Sequence, residues 1–162
     1  ATRTGPQGAG RALITYESMA YRGAQRGGIS KEKAPQITLL FTALFVLISV
    51  PMSISVGLRR VETGVMLLHG DDDVLLRRMR AHGNFTEYVP LALLGLAGVE
   101  LVGAPVWLVI ACGGVLLAAR LIHYAGLRAS ADSKGRLIGA ALTSLMMLVS
   151  GAVILLALAG IL

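Results

Sequence analysis

Three long stretches without charged residues most constrain the fold of this 162-residue chain. Residues 34–58, 101–119 and 137–162 contain no Asp, Glu, Lys or Arg. A helix needs about 20 mainly apolar residues to cross the roughly 30 Å hydrocarbon core of a bilayer, so each stretch matches one crossing. The chain is also 55% hydrophobic, whereas soluble domains are about 45–50% apolar. The sequence therefore predicts an integral membrane protein.

The charges between these stretches divide the chain into four helices. Arginines at 77, 78 and 80 make the first part of the second helix polar, so we expect that part to project from the membrane. Because the connections are short, neighbouring helices should run antiparallel. We predict an all-α, four-helix transmembrane bundle over residues 34–162, with helices at 35–60, 74–101, 105–127 and 137–161.

The net charge of +6 has a membrane explanation. The basic residues flank the predicted spans, where they set topology and meet lipid headgroups. Aromatic residues make up only 5% of the chain, which gives no stacking platform for bases, and we predict no nucleic-acid partner. The loop between the second and third helices has no Lys or Arg, which places the other two loops on the cytoplasmic side.

Residues 1–33 form a basic, Gly-rich extension without the apolar core of a signal peptide. Such a composition cannot bury a core of its own. We expect the extension to be ordered only where a partner docks it, and a larger membrane complex is the candidate partner.

A polar stripe opens the membrane part of the second helix. Arg80, Asn84, Glu87 and Tyr88 stand at i, i+4, i+7 and i+8, which is one helix face. Polar groups at membrane depth are costly unless partnered, so the stripe is a candidate site. Salt bridges to neighbouring helices, or lipid phosphates on the arginines, would explain it equally well. Glu100 lies about 220° further round the helix and belongs to another interaction.

A second polar group closes the third helix at the same membrane face. It consists of Arg120, His123, Tyr124 and Arg128, and the arginine pair 59–60 ends the first helix nearby. Several cations, one carboxylate, one amide and two phenols can therefore converge near one interface. Such a set suits a small zwitterionic ligand with extra carboxylates, because Arg binds carboxylates bidentately and Glu87 can accept an ammonium.

Three aspartates, 71–73, precede the second helix. Aspartates at this place cap a helix and favour its positive end. A calcium loop needs alternating oxygen ligands and a later Glu, and that pattern is absent. We therefore predict capping and no metal site.

Two strings in this chain resemble a known family. The string RAHGNFTEYVP, residues 80–90, looks like the signature of the MAPEG family (membrane-associated proteins in eicosanoid and glutathione metabolism). The string LAARLIHYAG, residues 117–126, is similar to the third-helix pattern of its bacterial branch. The resemblance covers about residues 37–162 and implies a multi-pass protein of a bacterial inner membrane.

The resemblance also implies a function. It predicts a homotrimer that binds glutathione between protomers, and a glutathione-dependent transferase or peroxidase acting on lipophilic electrophiles that arrive with the membrane lipids. The alternatives are a non-catalytic subunit of a larger complex and a lipid-binding bundle. The implied catalytic cations are Arg60, with Arg59 as the adjacent alternative, and Lys134, with Arg136 nearby. A third-helix tyrosine of the family falls on His123 or Leu127. The predicted glutathione-binding residues are Arg80, Asn84, Glu87, Tyr88, Arg120, His123 and Tyr124.

Overall fold

The computed structural model describes residues 34–130 and 132–162, so the predicted extension at 1–33 lies outside the described residues. The described part consists of four α-helices, and their ends fall within three residues of the predicted ones. The prediction of an all-α four-helix bundle is confirmed. The helices are α1 (Gln36–Thr63), α2 (Asp73–Leu101), α3 (Val106–Ala129) and α4 (Lys134–Leu158).

Three of these helices are long and apolar enough to cross a membrane. The most apolar stretches of α1, α3 and α4 have mean hydropathies of 2.3, 2.0 and 2.3. Helix α2 is the exception, because its first half carries the arginines that were predicted to project from the apolar layer. Large apolar side chains such as Leu47, Leu94 and Leu148 are about 70% exposed on the outside of the bundle, as expected for lipid-facing positions.

Polar side chains begin two of the helices. Asp72 is the N-cap of α2 and accepts a hydrogen bond from the backbone N–H of Leu75, which confirms the capping prediction. Ser133 caps α4 and accepts from the N–H of Arg136 at 3.2 Å. These caps satisfy helix donors that have no intrahelical partner.

Helix α1 takes its cap from a distant residue. Its own N-cap, Pro35, offers no side-chain acceptor. Glu100, near the end of α2, accepts from the backbone N–H groups of Ile37 and Thr38 at 3.0 and 2.8 Å. The Thr38 hydroxyl donates to the same carboxylate at 2.8 Å. Glu100 therefore joins two helices at one end of the bundle, apart from the polar stripe, as its helical position predicted.

At the opposite end of the bundle, α3 packs closely against α4. A Cβ on Gly139 would lie 2.5 Å from the carbonyl oxygen of Ala119 and 2.7 Å from the backbone nitrogen of His123. Two small residues of α4, Gly139 and Thr143, are buried, whereas Ser144 and Gly151 of the same helix are exposed.

Candidate functional site

A cleft of about 840 Å³ opens at the end of the bundle that carries the polar stripe. Its walls come from the first half of α2, the end of α3, the start of α4 and the loop between α1 and α2. Three arginines and one carboxylate make its charged lining predominantly positive. The polar lining residues are His69, Arg77, Arg80, Asn84, Glu87, His123 and Arg136.

Three residues of the predicted stripe line this cleft. Arg80 and Glu87 are exposed, and neither makes an ion pair or hydrogen bond within the described part of the chain. Asn84 lies between them and is partly buried. The fourth member, Tyr88, is 39% exposed and stands outside the lining. Two oppositely charged side chains, about two turns apart on the same helix face, thus remain available to a ligand.

Arg120 of α3 forms a hydrogen bond with the side-chain amide of Asn84, a member of the stripe. Arg120 is only 4% exposed. Its Nη1 donates to Asn84 Oδ1 at 2.8 Å, and its Nη2 donates to the carbonyl oxygen of Gly139 at 3.1 Å. The guanidinium carbon also lies 5.7 Å from the ring centroid of Tyr88. Arg120 therefore connects α2, α3 and α4 and does not line the large cleft.

His123 reaches the cleft from α3 with a defined orientation. Its Nδ1 lies 2.9 Å from the carbonyl oxygen of Arg136. Because a carbonyl oxygen can only accept, Nδ1 carries the proton and Nε2 is an acceptor when the ring is neutral. Leu127, the alternative position for the family's tyrosine, is buried in the same lining. Tyr124 lies outside the cleft, and its hydroxyl accepts from Arg128 at 3.0 Å.

Neither predicted catalytic cation, Arg60 or Lys134, lines the cleft. Arg60 donates to the carbonyl oxygens of Val65 and Leu68 at 3.1 and 2.9 Å, so it holds the loop between α1 and α2. Lys134 begins α4, is exposed and does not contribute to the lining. Arg136, one half-turn further, does.

Arg59, the alternative to Arg60 at the end of α1, forms ion pairs outside the cleft. Arg59 pairs with Asp72 at 2.7 Å and with Glu62 at 3.1 Å. These are the only two ion pairs within residues 34–130 and 132–162. A residue with such partners holds the α1–α2 corner together and offers little to a ligand.

Sequence reasoning did not single out two polar lining residues as members of the site. Arg77 lies one turn before Arg80 on α2, so helical spacing could have indicated it. His69 lies in the loop, where no periodicity predicts position. In the described ranges, no cluster of three or more His, Cys, Asp or Glu residues could hold a metal ion.

A membrane bundle of four helices, with Arg80, Asn84 and Glu87 on the face of the second helix that lines a cleft, is the arrangement expected of the resembled family. The sequence profile of the MAPEG family matches residues 38–157, and the chain belongs to this family. The protein is therefore a multi-pass membrane protein, as predicted.

Two curated relatives agree with this placement. Both are named inner membrane protein YecN, one from Escherichia coli strain K12 and one from strain O6:H1. Each is 37% identical to this chain over 90 residues, which are 56% of this chain and 69% of the relative. Their name agrees with the predicted inner-membrane location and states no activity.

Proposed function

We propose that the protein binds glutathione in the large cleft. Its thiolate would then either form a thioether bond with a lipophilic electrophile or reduce a lipid hydroperoxide to the alcohol and water, a reaction that consumes two glutathione molecules and yields their disulfide. The observation that carries this proposal is the convergence of Arg80, Asn84 and Glu87 on one cleft wall, with neither charge neutralised by a neighbour in the described chain. A volume of about 840 Å³ lies within the range of small-molecule sites, about 300–1,000 Å³.

The charges of the cleft suit the charges of the tripeptide. Glutathione carries two carboxylates and one ammonium. Arg80 and Arg77 can bind carboxylates through paired N–H donors, and Glu87 can accept from the ammonium. Asn84 is oriented by Arg120 through its oxygen, which leaves its NH₂ group to donate to the ligand. The predicted role of Arg120 thus becomes one of positioning, while Tyr88 and Tyr124 would contact glutathione only if it extends beyond the cleft.

Arg136 is the best-placed candidate for the cation that activates the thiol. A cysteine thiol has an ordinary pKa of about 8.5, and the thiolate is the nucleophile. A guanidinium close to the sulfur favours the anion and lowers that pKa. Among the predicted cations, Arg60 is engaged with loop carbonyls and Lys134 stands outside the lining, whereas Arg136 lines the cleft.

The exposure of Arg80 and Glu87 supports the assembly that the family implies. A homotrimer would place a neighbouring protomer over the open side of the cleft and exclude water from the ligand. Lipophilic substrates would then enter sideways from the bilayer.

Calorimetric titration of glutathione into the purified protein tests the binding step. Glu87→Gln should weaken binding about ten- to hundred-fold, because a hydrogen bond to a charged group contributes about 1.5–3 kcal/mol. Glu62→Gln is the matched control: this carboxylate lies outside the cleft, on Arg59, and its loss should leave the affinity unchanged. Equal affinities of the unaltered protein and Glu87→Gln would refute the proposed site.

A conjugation assay with a panel of hydrophobic electrophiles, run beside a native mass measurement, tests turnover and assembly. We expect thioether formation by a species of three protomers. Glutathione binding without turnover would favour the alternative of an accessory subunit. The extension at 1–33 that motivates this alternative lies outside the described residues.

A further inference from the structure

The loop between α1 and α2 carries three large apolar side chains that the described residues leave exposed. Met66, Leu67 and Leu68 are 74, 83 and 76% exposed. Such exposure is expected on the lipid-facing surfaces of the helices, but this segment lies between two helices. Residues 63–70 contain no Asp, Glu, Lys or Arg. Because contiguous apolar surface is unfavourable in water, the segment requires an apolar environment.

The outer surface of α1 shows where this loop lies relative to the bilayer. Large apolar side chains are exposed along one face of α1, within about 60° round the helix. They are Leu40, Leu47, Ile54, Leu58 and Val61. From the first to the last the helix rises about 32 Å, which matches the roughly 30 Å hydrocarbon core. A face of this length that spans the core places Val61 at the edge of the core.

The loop stays at the level of this edge. Arg60 Nη1 donates to the carbonyl oxygens of Val65 and Leu68 at 3.1 and 2.9 Å, so the segment turns back on the last turn of α1. The carbonyl oxygen of His69 accepts from the N–H of Asp72 at 3.1 Å. Unpaired carbonyl groups are costly in an apolar environment, and backbone outside a helix needs such partners there. The loop backbone is therefore suited to the edge of the core.

The arginines of α2 at the same level belong to other surfaces. Arg78 donates to the carbonyl oxygen of Ser55 at 2.7 Å, which places the first turns of α2 beside the last turns of α1. Arg77 and Arg80 line the cleft. Because these charges meet α1 or the cleft, they do not remove the outer face of α1 from the lipid.

We propose that residues 65–68 insert into the headgroup–acyl boundary of the bilayer and anchor this end of the bundle. The occupant of the exposed apolar surface is lipid, because the surface continues the lipid-facing side of α1 at the level where that side ends. Arg60 holds the segment in the inserted conformation through its two carbonyl bonds. Insertion of the loop does not rest on glutathione binding.

The inserted loop also separates the cleft from the bilayer. Leu68 and His69 line the cleft, and Leu68 is at the same time exposed on the outside. A lipophilic molecule dissolved in the boundary layer would therefore reach the cleft along this loop. Only this consequence rests on the proposed function, for which the loop would form the entrance for the lipophilic substrate.

Tryptophan fluorescence in lipid nanodiscs tests the insertion. The single tryptophan, Trp107, lies at the start of α3 and is removed by Trp107→Phe. Leu67→Trp in that background places one reporter in the loop. In phosphatidylcholine and phosphatidylglycerol we expect blue-shifted emission, and loss of most of it when the acyl chains are brominated. Bromine near the headgroup should quench more than bromine near the methyl end, because interfacial segments are buried only about 5–10 Å.

Asp132→Trp in the same background is the matched control. Asp132 is exposed in the α3–α4 loop, which lies at the same end of the bundle and carries no large apolar side chain among its described residues. This reporter should emit as in water and be quenched much less. Met66→Trp repeats the measurement in the loop if Leu67→Trp does not fold.

Three outcomes would overturn the proposal. Water-like emission from the α1–α2 loop would show that the loop lies outside the bilayer. Blue-shifted emission without quenching would show that protein, and not lipid, covers it. Equal quenching of the reporters at 67 and 132 would show that the apolar side chains do not insert the loop. None of these measurements uses glutathione, so their result is independent of the test of the cleft.

Discussion

The two glutamates of helix α2, Glu87 and Glu100, lie in opposite chemical environments. Glu100 accepts three hydrogen bonds from Ile37 and Thr38, and its charge stabilises the positive end of α1. Glu87, 13 residues earlier, is exposed on a cleft wall and has no partner in the described chain. Both are acidic residues in a membrane helix, and only their partners distinguish them.

This difference separates residues that hold the fold from residues that can meet a ligand. A carboxylate whose acceptor positions are occupied by backbone donors contributes to stability and has little left for binding. A carboxylate without partners contributes little to stability and is available. The same criterion assigns Arg59 to the fold and Arg80 to the site, and it places Arg120 between the two.

Glu100→Ala should have the largest effect on stability. The change leaves two backbone N–H groups and a hydroxyl without acceptors, and each buried orphan costs about 1–3 kcal/mol. We expect the free energy of unfolding in detergent, measured by titration with denaturing detergent, to fall by about 3 kcal/mol. Glu87→Ala is the paired control and should change stability by no more than about 0.5 kcal/mol. Similar losses in the two variants would break the comparison between them.

Gly139→Ala should have the next largest effect. Its Cβ would meet the backbone of Ala119 and His123, which cannot rotate away, and overpacking of this kind costs about 1–3 kcal/mol. The forced separation of α3 from α4 would also move the carbonyl that binds Arg120. Thermal unfolding should show a clear loss of stability and calorimetry a loss of glutathione affinity.

Gly151→Ala provides the control for this substitution. Gly151 lies on the same helix, and a Cβ there meets nothing within 4 Å. Because Ala has a higher helix propensity than Gly, this variant should be as stable as the unaltered protein or slightly more so. An equal loss in both variants would show that the contact of Gly139 with α3 does not determine the outcome.

The sequence predicted the helices because their signals are local. Charge-free stretches determine the length of a span, and the aspartates at 71–73 mark the start of α2 by their position alone. The face shared by Arg80, Asn84 and Glu87 follows from helical spacing. All of these depend only on neighbours along the chain.

The partners of the polar residues could not be predicted in the same way. Spacing places Glu100 on a different face from Glu87, but only the packing of α1 against α2 brings Thr38 to it. Likewise, nothing near Arg60 in sequence shows that its donors bind the carbonyls of Val65 and Leu68. Such contacts join residues whose approach depends on loop geometry and helix rotation, which no single segment determines.

Arg136→Gln tests whether the cation at this position of the cleft activates the thiol of glutathione. If its charge stabilises the thiolate, its removal should raise the pKa of bound glutathione by about one unit, and one unit corresponds to about 1.4 kcal/mol. The rate of conjugation at neutral pH should then fall about ten-fold, and the rise of the rate with pH should shift upward by the same amount. Lys134→Gln, next to it but outside the cleft, should leave both unchanged. A shift in Lys134→Gln alone would reassign the cation.

Asp72→Asn should have the smallest effect, and it tests the assignment of the partnered charges to the fold. The hydrogen bond from Arg59, followed by that from the backbone N–H of Leu75, holds the pKa of the Asp72 carboxyl below its usual range. Because the folded-state pKa is lowered, the ionised carboxylate stabilises the fold above the ordinary pKa of about 3.9, and this contribution is lost as pH falls through the folded-state value.

Asparagine keeps the oxygen that caps α2 but removes the charge that pairs with Arg59. The thermal midpoint of Asp72→Asn should therefore lie below that of the unaltered protein at pH 6 and converge with it at the lowest pH at which both remain folded. Asp71→Asn, an exposed neighbour, should follow the unaltered protein throughout. Glutathione affinity should be the same in all three proteins at pH 7, because Asp72 lies outside the cleft lining. A loss of affinity in Asp72→Asn would mean that a partnered charge also serves the ligand, and the division drawn between Glu100 and Glu87 would not extend to the rest of the bundle.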